Sequence, residues 1–388
     1  MFRMAVGHSD DINPEAAVDA VVAQCNRALG GERPRAGLLF LNYDTDPAQL
    51  IAGVRKAYPD AEIIGTTSVG EMSSVLGFQE DSVTLALFAS DSVDVTAGLA
   101  TDVSSDPAGA AKRAIAEARG KTGKEPRLCL AFPSVAVLIE PWVLLRELRR
   151  HLGEDVPVLG GGSGPPAAGD VIQARQFYAG EIHQDAVAVL LFSGPLSFSF
   201  GIDNGWRPVG RTGTVTDASL GTIRTIDHEP ALAFYERYLG PGATPTPANP
   251  LAVFEDDSED FYLRVPILAD SATGAIDVAG DASLGARVRL TVAVTDEIFG
   301  GTRSAVRTAI ERYPPQDRPA AGLVFSCAIR KLMLGTRTGR ELDITREELG
   351  MELPISGLYC YGEIAPGGAG STRFHNETIV AVLLGEAS

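Results

Sequence analysis

Apolar and polar residues follow a pattern that recurs three times along this chain. Each copy has a strand-like apolar run ending in Phe, a connection, an apolar pair leading into Gly, and a closing apolar run. The first copy reads Gly37-Leu38-Leu39-Phe40, then Ile63-Ile64-Gly65, then Asp81 to Phe88. The second reads Leu128 to Phe132, Val158-Leu159-Gly160, and Asp185 to Phe192; the third reads Gly322-Leu323-Val324-Phe325, Ile355-Ser356-Gly357, and Asn376 to Leu383. The Phe-to-Gly separation is 25, 28 and 32 residues and the separation from Gly to the next Asp or Asn is 16, 25 and 19, whereas the closing run always extends 7 residues further. Strands of fixed length joined by variable connections are the mark of a repeated unit whose loops tolerate insertion. Copies one and three share most, because Gly65-x-x-x-x-Gly70-Glu71 matches Gly357-x-x-x-x-Gly362-Glu363. Copy two carries Gly160-Gly161-Gly162-Ser163-Gly164-Pro165-Pro166 there, and on its own a generic strand–helix–strand unit explains it equally well.

The connections predict helices. In the first, Asp46 reads as N-cap, Pro47 as the opening helical residue, and Leu50, Ile51, Val54 and Tyr58 as one apolar face. The second opens at Pro141, places Leu144, Leu145, Leu148 and Leu152 on one face, and ends in the basic turn Arg149-Arg150-His151. Two more helices are expected at Pro14 to Leu29 and Pro107 to Arg119, and the Pro- and Gly-rich stretch Gly240 to Pro250 reads as a surface loop. Strand, amphipathic helix, strand predicts parallel pairing, and a closing run on a short connection predicts antiparallel pairing. The expected class is therefore α/β with mixed α+β elements: two related lobes built from strand–helix–strand–strand units with mixed sheets. The changeover is placed near Gly221, after the trailing strand Phe198 to Ile202, giving two units in residues 1–221 and one unit plus inserted strands in residues 222–388.

Charge narrows the partners. Lys plus Arg number 33 and Asp plus Glu 50, a net charge of −17, and that field repels nucleic-acid backbones and anionic membrane surfaces. A carboxylate ligand would meet the same repulsion, so its site needs a local cation or backbone N–H groups. Cys25, Cys129, Cys327 and Cys360 are scattered, without a C-x-x-C pair, and read as reduced thiols. The first residues lack a signal-peptide pattern and no apolar run approaches the ~18 residues of a membrane span, so the expected location is cytoplasmic.

Enzyme motifs fail on inspection. Ser163 has Pro165 where a nucleophile elbow needs Gly, Gly120-Lys121-Thr122 lacks the leading Gly of a P-loop, and no G-x-G-x-x-G occurs. The acidic run Glu255 to Asp260 lacks calcium-loop spacing, and Asp227-His228-Glu229 reads as a helix start ahead of Pro230. No cofactor or metal is called for. What remains are Gly-rich segments read as turns after apolar strands, where α/β proteins gather ligands. Gly65, Thr66 and Thr67 offer backbone approach and hydroxyls, and Glu71 and Glu363 could accept hydrogen bonds from a ligand ammonium.

These segments resemble the FIST family, named for F-box and intracellular signal transduction proteins. The similarity lies in Ala5 to Ser9, Ala16-Ala17, Ile64 to Met72 and Asp81-Ser82-Val83, then in Tyr262-Leu263-Arg264, Phe325 to Arg330, Tyr361-Gly362-Glu363-Ile364-Ala365-Pro366 and Phe374-His375-Asn376-Glu377-Thr378, in order along nearly the whole chain. The resemblance implies a sensory module that binds a small ligand, with amino acids or related small carboxylates as candidates, and that signals through a separate protein. It adds Arg264, Ser326, Cys327, Arg330, Tyr361, Gly362, Glu363, His375 and Asn376 to the candidate ligand site, with Arg330 and Arg264 as anion anchors. A binding rather than a catalytic role is expected. The rival readings are an enzyme using Glu363, His375 or Cys327, and an acidic adaptor without a ligand.

Overall fold

A computed structural model describes residues 1–135, 141–164, 174–254, 258–367 and 372–388. Pro165-Pro166 of the Gly-rich stretch and residues 255–257 of the acidic run lie outside the described residues. The fold is mixed α/β, as its periodicities require, and the repeated unit is larger than the sequence pattern suggests. The first unit comprises β1 (Arg3–Ser9), α1 (Pro14–Leu29), β2 (Ala36–Asn42), α2 (Pro47–Ala57), β3 (Glu62–Ser68), the hairpin β4 (Glu71–Ser73) and β5 (Gly77–Gln79), and β6 (Val83–Ala89). The second comprises β7 (Asp94–Thr101), α3 (Pro107–Arg119), β8 (Pro126–Pro133), α4 (Pro141–Leu152), β9 (Val158–Gly161), the hairpin β10 (Gln176–Tyr178) and β11 (Glu181–His183), and β12 (Ala186–Ser193).

The third unit opens with β13 (Leu196–Asp203) and is then interrupted by an insert. The insert contains β14 (Arg207–Ser219), β15 (Thr222–Ile226), β16 (Glu229–Pro230), α5 (Ala231–Leu239), β17 (Leu251–Phe254), β18 (Phe261–Arg264), β19 (Pro266–Asp270), β20 (Ala275–Val278) and β21 (Arg287–Val292). The unit resumes with α6 (Thr295–Arg312), β22 (Ala321–Cys327), α7 (Ala328–Leu334), α8 (Arg340–Leu349), β23 (Ile355–Cys360), the hairpin β24 (Glu363–Pro366) and β25 (Thr372–His375), and β26 (Ile379–Glu386). Gly221, the expected changeover, lies in the turn between β14 and β15, inside the insert. The strand read as trailing copy two is β13, which pairs with β26 almost two hundred residues later, and local periodicity carries no sign of so distant a partner. The helices expected at Pro14 to Leu29 and Pro107 to Arg119 form over those spans, capped by the side chains of Asn13 and Asp106. A helix does open just past Pro230, as α5, but Asp227 and His228 lie outside it, both with positive φ in the turn ahead of the short strand β16.

Each unit builds four adjacent strands in the same order: β1-β6-β2-β3, β7-β12-β8-β9 and β13-β26-β22-β23. In each the two central-motif strands are parallel and the closing strand is antiparallel. The hairpins do not stay at home. β4-β5 of the first unit extends the third sheet through β23, β10-β11 of the second extends the first through β3, and β24-β25 of the third extends the second through β9. The inner faces share one core in which Phe40, Phe132 and Phe325, the terminal Phe of each copy, are fully buried and touch edge to face, with ring centroids 5.4 and 5.7 Å apart. Helices cover the outer faces, and the insert folds as its own antiparallel sheet with α5 against it.

One row across each sheet begins and ends in glycine: Gly7-Leu85-Leu39-Gly65, Gly98-Val189-Ala131-Gly160 and Gly201-Ala381-Val324-Gly357. A Cβ on Gly7, Gly98 or Gly201 would run into the backbone carbonyl of Val21, Ala114 or Ala305 on the covering helix. One on Gly65, Gly160 or Gly357 would strike the carbonyl of Leu39, Ala131 or Val324 in the neighbouring strand. The repeated Gly is thus a close-approach residue inside a strand rather than a turn residue. Its equivalence in all three units settles copy two as a true repeat.

Gly98→Ala and Gly201→Ala are expected to lower stability by about 1–3 kcal/mol or more through overpacking against helix backbone. Gly300→Ala, in α6 with no neighbouring atom in reach of a new Cβ, is expected to be neutral or stabilising by up to ~1 kcal/mol. Urea unfolding midpoints of the three variants check this.

Candidate functional site

The carboxyl ends of the parallel pairs meet where the units interlock. Gly65, Thr66 and Thr67 lie in β3, and their polar groups are already committed: Thr67 N donates to Arg175 O at 3.0 Å, Arg175 N donates to Thr67 Oγ1 at 3.2 Å, and Thr66 Oγ1 bonds to Arg175 O. Gln176 Nε2 reaches Ser163 Oγ at 2.6 Å, and Gly164 N donates to the Tyr43 hydroxyl at 2.7 Å. Tyr361 N donates to Gly162 O and Gly162 N to Gly362 O, while the rings of Tyr43 and Tyr361 stand edge to face. The Gly segments converge here chiefly to knit the units together.

Glu71 and Glu363, the first residues of two exchanged hairpins, are fully buried and equivalent. Glu71 accepts from Ser68 Oγ, and from Ser82 Oγ at 2.5 Å. Glu363 accepts from Thr378 Oγ1 at 2.7 Å and Thr378 N at 3.1 Å, with Cys360 Sγ at 3.5 Å. Ser68 corresponds to Cys360, and Ser82 to Thr378. Burial pushes both carboxyls up to about 8, against the opposing effect of these hydrogen bonds. At neutral pH they are mostly protonated and poor partners for an ammonium. Sequence reasoning missed His8, whose ring lies between Ser73 Oγ at 2.8 Å and Ser82 Oγ at 2.9 Å, extending the Glu71 network. The closing run of copy three sits one residue later than its sequence spacing suggests: β6 and β26 align through Leu85 and Ala381, which sets Asp81-Ser82-Val83 against Glu377-Thr378-Ile379.

Arg330 is not an available anion anchor. It is fully buried and ion-paired with buried Glu341 at 2.6 Å. Its Nε also bonds Glu341, Nη2 bonds Ile298 O and Thr302 Oγ1, and Nη1 bonds the carbonyls of Asn204 and Glu377. Every guanidinium nitrogen is engaged. Ser326 Oγ and the Tyr359 hydroxyl donate to the other Glu341 oxygen, so Ser326 belongs to the same structural pair. Cys327 follows in β22, and burial next to Glu363 holds its thiol well above the usual range. His375 does not face it: His375 Nε2 bonds Ala365 O at 3.1 Å, and burial lowers its pKa to about 3. All four cysteines are buried and unpaired.

Arg264 meets His375 and Asn376 at the junction of insert and body. Its Nη1 donates to Phe374 O at 3.1 Å, and Val265 N donates to Asn376 Oδ1 at 3.1 Å. Asp281 takes Arg264 Nη2 at 2.6 Å. Above this junction a cleft of about 170 Å³ is lined in part by Trp142 of α4, Tyr262 and Arg264 of β18, Asp281, and Arg373 and Phe374 of β25. The guanidiniums of Arg264 and Arg373 lie 4.3 and 4.5 Å from the Tyr262 ring centroid, within cation–π range. Trp142 and Arg373 gave no sequence signal, because nothing local shows that α4, the insert and β25 adjoin. Among the described residues no group of three or more His, Cys, Asp or Glu could hold a metal, and no helix is long and apolar enough to cross a membrane.

Two outcomes are expected. Arg330→Ala should cost about 3–5 kcal/mol of stability, because it strands Glu341 in the core; denaturant unfolding checks it. The carboxyls of Glu71 and Glu363, raised from 4.5 to about 8, stabilise fully below 4.5 and lose that contribution as pH rises to 8. His8 and His375, lowered from 6.5 to about 4 and about 3, contribute above 6.5 and lose it as pH falls. The two pairs oppose one another below pH 6.5, and only the carboxyls act above it. Stability should therefore fall between pH 6.5 and 8, by up to ~1.4 kcal/mol per pH unit for each carboxyl. Glu71→Gln and Glu363→Gln should each flatten the slope of melting temperature against pH in that window.

Two family models divide the chain: the FIST N domain matches residues 35–229 and the FIST C domain residues 231–366. Two uncharacterised proteins of Mycobacterium tuberculosis, from strains CDC 1551 and H37Rv, are each 27% identical over 399 aligned positions, covering 97% of this chain and 98% of their own length. Among solved structures, a cyanuric acid hydrolase from A. caulinodans is similar at TM-score 0.38 and 10% identity over the whole of both chains. PurLQS from Thermotoga maritima is similar at TM-score 0.25 and 13% identity, over all of this chain and 73% of that one. At such scores neither likeness bears on this chain's site. The family matches cover most of the chain in the order that the repeats run, and the chain belongs to the FIST family of sensory, signalling-associated domains.

Proposed function

We propose that this protein is a cytoplasmic sensor that binds a small carboxylate, such as an amino acid, in the cleft between insert and body, and passes the signal to a separate protein. The observation that carries this reading is the cleft lining, in which Arg373 stands over Tyr262 beside Arg264, whose buried guanidinium is paired with Asp281. In a chain of net charge −17 a carboxylate is drawn only to a local concentration of positive charge. Two arginines against the single carboxylate of Asp281 provide it over an aromatic floor, and Trp142 adds an apolar wall. The site touches the second unit, the third unit and the insert, so a ligand there can bias how these parts sit together. Buried, protonated thiols favour binding over covalent chemistry at Cys327.

A thermal-shift screen of amino acids and small carboxylates tests this on wild type, Arg373→Gln and Trp142→Ala. A ligand at a hundredfold its Kd adds about 2.7 kcal/mol to stability and raises Tm by a few degrees. Both variants should weaken the shift by about tenfold or more in ligand concentration, through loss of a charge-assisted contact or an aromatic wall. The reading fails if no compound shifts the wild type, or if hits shift both variants equally. Consumption of a hit during incubation would replace it with the enzyme reading.

A further inference from the structure

A larger cleft, of about 570 Å³, opens between the first unit and the turn that follows α7. Its walls include Phe78 and Gln79 of β5, Asp81 beyond that strand, Asp10 and Ile12 of the loop between β1 and α1, and Thr336. β5 is the last strand of its sheet. In an antiparallel hairpin alternate residues turn their N–H and C=O away from the partner strand, and among the described residues no backbone group outside the hairpin bonds to those of β5. Exposed edges are ordinarily blunted by Pro, Lys or an inward charge, and Gly77-Phe78-Gln79 has none of these. The surface around the edge is apolar and acidic. Ile12 is almost fully exposed, as are in part Val75 and Leu76 at the tip of the hairpin. Glu80 is paired with Lys331 of α7 at 3.1 Å, but Asp10 and Asp81 have no ion-pair partner among the described residues. Arg337, next to Thr336, is turned instead to Thr295 Oγ1 at 2.6 Å.

These features call for one kind of occupant. An open strand edge takes an extended backbone, unpaired acids take Lys or Arg, and Ile12 and Phe78 take an apolar side chain between them. A second copy of this chain would bring a like charge of −17, so the occupant is a different protein. We propose that this cleft docks an extended basic segment of a separate protein, which adds to β5 as a further strand and sets Lys or Arg side chains against Asp10 and Asp81. The inference rests on the sensor reading only in making that protein the recipient of the signal. One short helix joins the docking cleft to the seam between insert and body. Arg330 of α7 bonds the carbonyls of Asn204 and Glu377 at the seam, and the next residue, Lys331, bonds Val69 O at 2.7 Å and Glu80 at the cleft.

The probe is a fluorescein-labelled peptide of alternating Lys and Val, long enough to span β5, titrated with the whole protein at about 0.15 M salt, where charges beyond ~8 Å are screened. Anisotropy should show binding that weakens as salt rises, and hydrogen exchange should slow in the segment from Gly77 to Gln79. The Glu-Val counterpart should not bind, and N-methylation of the peptide amides should abolish binding. Asp10→Asn combined with Asp81→Asn should weaken it by about 3- to 30-fold, the worth of two exposed charge pairs. Asp60→Asn combined with Asp155→Asn, exposed acids that do not line the cleft, should leave it unchanged. Equal weakening by the two double variants would mean unspecific attraction to an acidic protein and overturn the proposal. Binding that survives methylation would overturn it by removing the added strand, and so would absence of binding at about 1 mM peptide, the weak end of measurable affinity. No small ligand is present in this assay, so its failure leaves the carboxylate reading standing, and failure of the carboxylate screen leaves the docking cleft standing.

Discussion

The exchange of hairpins is the constraint on which the rest of this molecule depends. Each unit makes a strand, a helix and a parallel partner strand, and that partner is left with an open edge. A hairpin from another unit covers it: the first unit completes the third, the second completes the first, and the third completes the second. An open edge is a liability that proteins must pair or cover, and here it is closed by a cycle that no unit can complete alone. The acids Glu71 and Glu363 stand where two of these crossings begin, which explains their complete burial and their equivalent hydroxyl partners. The same closure fixes β25 against β24 and so sets Arg373 and Phe374 in the cleft wall.

The insert adds what the repeated body lacks. It leaves the third unit between β13 and α6, forms its own sheet, and returns Arg264 and Val265 to the body at Phe374 and Asn376. Arg330 and Glu341 satisfy one another on this seam, whereas the Glu377 carboxyl and the Tyr235 hydroxyl have no hydrogen-bond partner among the described residues. A fully satisfied buried pair of the first kind specifies the fold. A ligand moves an equilibrium only through contacts that the empty protein does not make.

Much of the body was legible in the sequence. Apolar runs ending in Phe marked strands, an opening Pro marked the start of α1, α2 and α3, and recurring spacing marked the repeats. The first strands of the first two units escaped because Gly7 and Gly98 break their apolar runs, although these glycines are what lets the helix lie against the strand, and the third, β13, was legible as a strand but not as the start of a unit. Gly65 and Gly357 were read as turn residues because a glycine after two apolar residues signals either a turn or a close approach, and only the neighbouring strand decides. Arg330 looked like an anchor because a buried arginine and a ligand arginine share one sequence signature. The cleft was the least legible feature, since Trp142, Tyr262 and Arg373 come from three elements joined only by the tertiary fold.

The interlocked body is tested most directly by cutting the chain between the two family domains and expressing residues 1–229 and 230–388 apart and together. The first fragment keeps two complete units in sequence but loses β22-β23, on which β4-β5 docks, and β24-β25, which covers β9. The account expects no cooperative unfolding transition from residues 1–229 alone, and a stable complex with the transition restored when both fragments are co-expressed. A first fragment that unfolds cooperatively by itself, with melting behaviour unchanged by the second, would contradict it.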